Sequence, residues 1–399
     1  MHPRVVVMGG SLGGLTAGLV LRDAGCDVTV LERSRTPLEG RGAGIVLHPA
    51  TVRYFTANNL LELNEVSAPA DRLRYVARDS SVVHEEPCRY RFTSYYTLHQ
   101  GLLNAMDSER YEMGAEVVDW DEDPSCVTVE LADGRTRACD LLVAADGIQS
   151  MARRRLMPRV EPQYAGYVGW RGTVGAADIS PRAFAEQHDA ITYFVGRNTH
   201  ILTYPIPDFE GRIAPERRRI NFVWYRNVEG GAALGDLLTD RAGYKRDVSL
   251  GPGAVQERHV ASLFEAAEAT LPDTVAEVVI GSRDPFVQVV MDVEVDHMAF
   301  GRTCLIGDAA FAIRPHAAAG TAKAAEDAWK LAEALRLAEG DVGEALERWE
   351  PGQLELGRRV LERARDIGNR SQFLGTYRPG DPYLAFGLYR PGDSWMQQN

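Results

Sequence analysis

Val5-Val-Val-Met-Gly-Gly-Ser-Leu-Gly-Gly-Leu15 is the most informative stretch of this 399-residue chain. Four apolar residues run into a cluster of small ones, and a helical pattern continues over residues 14–24 until Gly25 stops it. That order describes a buried strand, a tight turn and a helix N-terminus. Small residues there let backbone N–H groups and the positive end of the helix dipole come close to two phosphates. Set against G-x-G-x-x-G, the residues are Gly9, Gly10, Ser11, Leu12, Gly13 and Gly14, so serine stands in the second glycine place. A second apolar strand at 28–31 ends in Glu32, about 20 residues on, where a carboxylate can accept from a ribose hydroxyl. By itself the turn fits NAD, FAD or no nucleotide, and Glu32 fits a solvated strand end equally well. The contacts to expect from it are Gly9, Ser11, Leu12, Gly14, Glu32 and Arg33.

Composition narrows the partners. Basic residues number 44 against 56 acidic ones, a net charge of −12, which argues against nucleic acid and anionic membranes. A hydrophobic content of 45% is ordinary for a globular chain, and no apolar run reaches a membrane-spanning length. The five cysteines are scattered without a C-x-x-C pair, so reduced core thiols and a cytoplasmic location are expected, with no metal site. A homodimer is left open.

Two further dense stretches follow the first. Asp140-Leu-Leu-Val-Ala-Ala-Asp-Gly-Ile-Gln-Ser150 is a continuous apolar run, as a strand buried on both faces requires, with Asp146 at its carboxyl end. Gly301-Arg-Thr-Cys-Leu-Ile-Gly-Asp308 is another such strand, and Arg314-Pro-His-Ala-Ala-Ala-Gly320 leads from it into a helix without a side-chain cap. The free amides at Gly320, Thr321 and Ala322 suit negative charge. Between these stretches, residues 45–48 look like a strand, 50–61 like a helix, 71–95 like two or three short strands and 97–106 like a helix. From 164 to 285 alternating aromatic segments suggest an antiparallel sheet, and a long helix covers 342–369.

In their order and spacing, the three stretches resemble the single-component FAD-dependent aromatic hydroxylases of the p-hydroxybenzoate hydroxylase type. The match runs through Gly9 to Gly14 with Glu32, through Asp146-Gly147 with Ser150 and Arg153, and through Gly307-Asp308 with Pro315 and Gly320. The likeness is strongest to members acting on hydroxylated pyridines, in Tyr164-Ala-Gly-Tyr-Val168, Trp170-Arg-Gly172, Tyr204-Pro-Ile-Pro207 and Trp224-Tyr225. The resemblance implies an α/β fold: a Rossmann-type FAD-binding domain (1–70, 96–163 and 286–399, with a C-terminal helix and tail) and an inserted, mostly antiparallel substrate domain (71–95 and 164–285). It implies FAD as the cofactor, NADH or NADPH as transient reductant, O2 as co-substrate, and hydroxylation through a flavin C4a-hydroperoxide. The ring is expected to be a pyridinediol or pyridone. A benzenoid phenol such as a salicylate is the alternative, and a non-catalytic flavin protein the remote one.

Further cofactor contacts are expected at Arg41, Gln100, Asp146 and Asp308, Gln100 replacing an arginine usual in the family. A base tuned near neutrality would help ionise the substrate hydroxyl. His48 is the first candidate, with Tyr225 and His316 also in catalytic positions. Tyr204, Trp224 and Pro315 are expected against the substrate, while His188 and His200 are read as structural.

Overall fold

A computed structural model describes residues 2–36 and 44–396. Arg4–Met8 lies inside a six-stranded sheet, in the order Ala299–Phe300, Thr303–Leu305, Leu141–Ala144, Arg4–Met8, Asp27–Glu32, Tyr111–Met113. All pairings are parallel except that of Ala299–Phe300, and Leu141–Ala144 is buried throughout, as its unbroken apolar run requires. The carboxyl ends of three adjacent strands therefore deliver Gly9, Asp146 and Gly307 to one edge, where open α/β sheets bind ligands. Helix Leu12–Asp23 packs on helices Tyr95–Ala105 and Gly320–Leu337, and the latter on Val342–Asn369. A three-stranded sheet, Val117–Glu122, Val127–Leu131 and Thr136–Cys139, flanks this core.

The second large sheet has nine strands: Ser249–Leu250, Phe286–Asp292, Gln163–Gly175, Arg219–Asn227, Thr199–Ile206, Ala190–Gly196, Ala68–Val76, Val82–Ser94 and Gly44–Val46, in that order. Its pairings are antiparallel except Ala190–Gly196 with Ala68–Val76. Alternation divides its side chains. Val168, Trp170, Phe222 and Trp224 join a core with helices Glu257–Thr270 and Asp273–Ile280. Tyr167, Leu202, Tyr204, Val223 and Tyr225 face the other way.

Several boundaries differ from expectation. Residues 71–95 form two long strands, and the helix expected over 50–61 ends at Ala57, before Asn59 turns left-handed at φ 52°. Sheet membership is also wider than 71–95 and 164–285, because Gly44–Val46 and Phe286–Asp292 pair into the nine-stranded sheet. Local periodicity identifies a strand and says nothing of which sheet it joins. Among the described residues no helix is long and apolar enough to cross a membrane.

Candidate cofactor and substrate site

The first turn can be made only of very small residues. Gly9 has φ +111°, and a Cβ on it would overlap the Ala145 carbonyl; one on Gly14 would overlap the Gly9 carbonyl. Glu32 accepts from the Gly10 amide (2.8 Å) through one oxygen and the Ser34 amide (2.8 Å) through the other. Each oxygen keeps a lone pair that can take a ribose hydroxyl. Ser11 makes no cap to the helix that starts at Leu12, its hydroxyl instead meeting that of Tyr95 at 2.7 Å. The Gly10 carbonyl accepts from His99 Nε2 (3.0 Å) and from the Tyr111 hydroxyl (3.2 Å). Arg33 is exposed beside Glu32, Gln100 half-buried beside His99, and Arg41 lies outside the described residues.

The other two motifs are joined to this turn by packing. Ala324 lies against both Gly13 and Gly307. Fully buried Arg153 donates to the carbonyls of Ala309 (2.9 Å) and Ile148 (2.5 Å), tying the Asp146 loop to the Asp308 loop. Asp327 accepts from the Gly307 amide (3.0 Å) and is ion-paired with Lys323 in the same helix, both wholly buried. Asp146 uses one oxygen to accept from Met151 (2.7 Å) and Ala152 (3.2 Å), and its other oxygen is buried with no partner. Asp308 is reached by solvent yet walled by protein, and burial pushes its carboxyl up to about 6 against the pull of Arg153. Helix Gly320–Leu337 has no side-chain cap, and its first internal bond is from Lys323 N to Ala319 O (2.8 Å). The amides of Gly320, Thr321 and Ala322 therefore have no acceptor within the helix. A glycine cradle, uncapped amides and an orphan carboxylate oxygen fit the phosphates and hydroxyls of FAD.

On the opposite wall, Tyr204 stacks on Phe92 (4.2 Å between centroids) and donates to the Gly44 carbonyl at 2.9 Å. Beyond it the Tyr225 ring lies 4.4 Å from His316 and 5.5 Å from His200. The Tyr167 hydroxyl meets His316 Nε2 at 2.8 Å. Burial lowers both histidines, His200 to about 3 and His316 well below its ordinary value, so both are neutral. Pro315 opens the turn Pro315–Ala317 that carries His316, and Ala318 follows in the left-handed region at φ 52°.

Known proteins share this arrangement. Residues 4–50 match the pyridine nucleotide-disulphide oxidoreductase family, 164–292 an FAD binding domain-like family and 263–364 an FAD binding domain family. The 2,6-dihydroxypyridine 3-monooxygenase of Paenarthrobacter nicotinovorans is 39% identical over 385 residues, covering 96% of this chain and 95% of that protein. The chain belongs to the FAD-dependent aromatic-ring monooxygenases. Within this monooxygenase family, the structure of 2,6-dihydroxypyridine-3-hydroxylase from Arthrobacter nicotinovorans superposes with a TM-score of 0.93 at 38% identity, over 98% of each chain. A 3-amino-4-hydroxybenzoate 2-monooxygenase of Streptomyces platensis is 30% identical, over 92% of this chain and 88% of its own.

For a monooxygenase of this kind, two expected positions need correction. His48 is buried, and its Nδ1 accepts from the Ala50 amide at 3.0 Å, so the proton sits on Nε2, which donates to Asp393 at 3.2 Å. Both nitrogens are committed to capping helix Pro49–Ala57 and holding the tail, leaving no lone pair for a substrate proton. Trp224 faces the helices behind the sheet and bonds Thr199 at 2.7 Å, because alternation sends it opposite to Tyr225. Tyr95, His99 and Tyr111, which grip the first turn, carry no local pattern that could have singled them out. His200, expected to be structural, has both ring nitrogens buried without partners.

Proposed function

We propose that this monooxygenase hydroxylates a hydroxylated N-heteroaromatic ring, a pyridinediol or a pyridone, with NADH or NADPH as reductant in the cytoplasm. The observation that carries this reading is the end-to-end likeness to 2,6-dihydroxypyridine 3-monooxygenase, which includes the whole nine-stranded sheet. In this reading the six-stranded sheet holds the cofactor and the nine-stranded sheet presents the substrate.

When bound, FAD supplies two-electron reduction and oxygen activation. The chain's own residues do the rest. Asp146, Asp308 and Glu32 offer acceptors for cofactor hydroxyls, and the amides of Gly320, Thr321 and Ala322 oppose negative charge at the N-terminus of a helix of 18 residues. Buried Tyr167, Tyr204 and Tyr225 close-pack the opposite wall and keep water out, which protects an activated oxygen from being lost to water. Pro315 and His316 sit between that wall and the uncapped helix, where they can orient a flat ring.

A benzenoid phenol is the second reading, favoured by the 30% identity to an enzyme named for an aminohydroxybenzoate. Product analysis with dihydroxypyridines, salicylate and aminohydroxybenzoates tests both. Coupled oxygen insertion into the pyridine ring is expected, and insertion into benzenoid rings alone would end the first reading.

A further inference from the structure

Strand Gln163–Gly175 sends Val168, Trp170 and Val174 into the core behind the sheet, so Tyr167, Gly169, Arg171 and Thr173 face the cofactor side. In the pairing with Arg219–Asn227, Arg171 stands opposite Val223, between Asn221 (opposite Thr173) and Tyr225 (opposite Gly169). Diagonal neighbours of this kind lie within reach of a long side chain. Its charge acts on the same wall: it opposes the upward displacement that burial gives the Tyr204 and Tyr225 hydroxyls.

Arg171 is half-buried, and among the described residues it makes no ion pair and no hydrogen bond, its Nε being sealed from solvent. Two more deeply buried guanidinium groups have partners. Arg314 is paired with Asp292 at 2.8 Å and Arg153 is bonded to three carbonyls. A second donor beside Arg171 is also unmatched. Asn221 is 1% exposed, and its Oδ1 accepts from the Gly44 amide at 3.0 Å, which fixes the amide's orientation and leaves Nδ2 without an acceptor. Two unmatched donors, one of them a cation, share one patch of sheet, and a buried donor left unmatched is costly. Tyr204 and Tyr225 lie on the same face of the sheet, and their hydroxyls feel the Arg171 charge.

Resting on the function proposed above, we propose that Arg171, with Asn221 beside it, receives the ionised ring oxygen of the substrate, so that the enzyme selects the anionic form. The ring O–H proton is then left in bulk water before binding, and no base is needed inside the dry site. This agrees with the commitment of His48 to its helix cap and with two neighbouring imidazoles that resist protonation. A guanidinium next to an ionisable oxygen lowers that group's pKa by about 1–3 units.

The test uses the FAD-loaded enzyme and variants Arg171→Gln, Arg171→Lys and Asn221→Asp. Dissociation constants for 2,6-dihydroxypyridine are read from the flavin absorbance change across the ionisation range of the ring hydroxyl. Wild type should tighten as the hydroxyl ionises. Arg171→Gln should bind at least about tenfold more weakly and lose that pH dependence with its FAD content unchanged, and Arg171→Lys should keep the dependence. Asn221→Asp preserves the acceptor for Gly44 and places an anion beside Arg171, so it should weaken binding in the same way. An unchanged affinity and pH profile in Arg171→Gln or in Asn221→Asp overturns the proposal. If wild type binds benzenoid phenols alone, the pyridine reading fails, while the same variants, titrated with one of those phenols across the ionisation of its ring hydroxyl, still decide the role of Arg171.

Discussion

Replacing His200 with phenylalanine should flatten the acid side of the stability curve. His200 is buried among Tyr193, Tyr225, Tyr377 and His316, and burial lowers its pKa from 6.5 to about 3. The sign follows from which state takes the proton first. In the unfolded chain the imidazole protonates near 6.5, while in the folded chain it stays neutral down to about 3. Its contribution is therefore fully present above 6.5 and is lost as the pH falls toward 3. Each pH unit in that window costs ~1.4 kcal/mol, so acidification to about pH 5 removes ~2 kcal/mol and the full window ~5 kcal/mol. His200→Phe keeps a ring of similar shape and removes two unmatched nitrogens, so at neutral pH it should be as stable as wild type or more so. Urea unfolding at about pH 7.5 and about pH 5, with FAD saturating, gives the double difference. Wild type should lose ~2 kcal/mol more than the variant. Parallel losses would refute the buried, neutral state of His200.

Four other outcomes follow from the site. Asp308→Ala should purify largely without FAD, measured as the ratio of flavin to protein absorbance; full occupancy would contradict its place in the cofactor cleft. Gly14→Ala should fail to hold FAD, or fail to fold, since the added carbon falls on the Gly9 carbonyl, and normal flavin content would exclude the turn geometry. His48→Asn should retain coupled turnover because asparagine also caps helices, whereas His48→Ala should lose ~1 kcal/mol in unfolding experiments; loss of hydroxylation in the asparagine variant would restore His48 as a base. Lys323→Met leaves the Asp327 carboxylate buried and unpaired, so destabilisation of ~3–5 kcal/mol is expected by denaturant titration.

Much of the cofactor side was legible in the sequence because its physics is local. A strand must be apolar, a phosphate turn must lack side chains, and a helix facing an anion must lack an acidic cap. Gly9, Gly14, Gly307 and Gly320 all obey those rules within a few residues of chain. What escaped is non-local. The grip of Tyr95, His99 and Tyr111 on the first turn depends on residues 84–101 positions away. His48 resembled a base because its tail partner lies 345 residues on. Trp224 and Tyr225 are adjacent in sequence and face opposite sides of a sheet, and only its packing says which side meets the cofactor. Arg171 stands in the motif Trp170-Arg-Gly172, but a sequence cannot show that a charge lacks a partner.

The most direct test of the whole account is the stoichiometry of one reaction. Purified FAD-loaded enzyme, NADH or NADPH, oxygen and 2,6-dihydroxypyridine should yield one hydroxylated product per reductant consumed, with little hydrogen peroxide. Reductant oxidation that ends entirely in peroxide with every hydroxypyridine, while a benzenoid phenol gives coupled product, would contradict it.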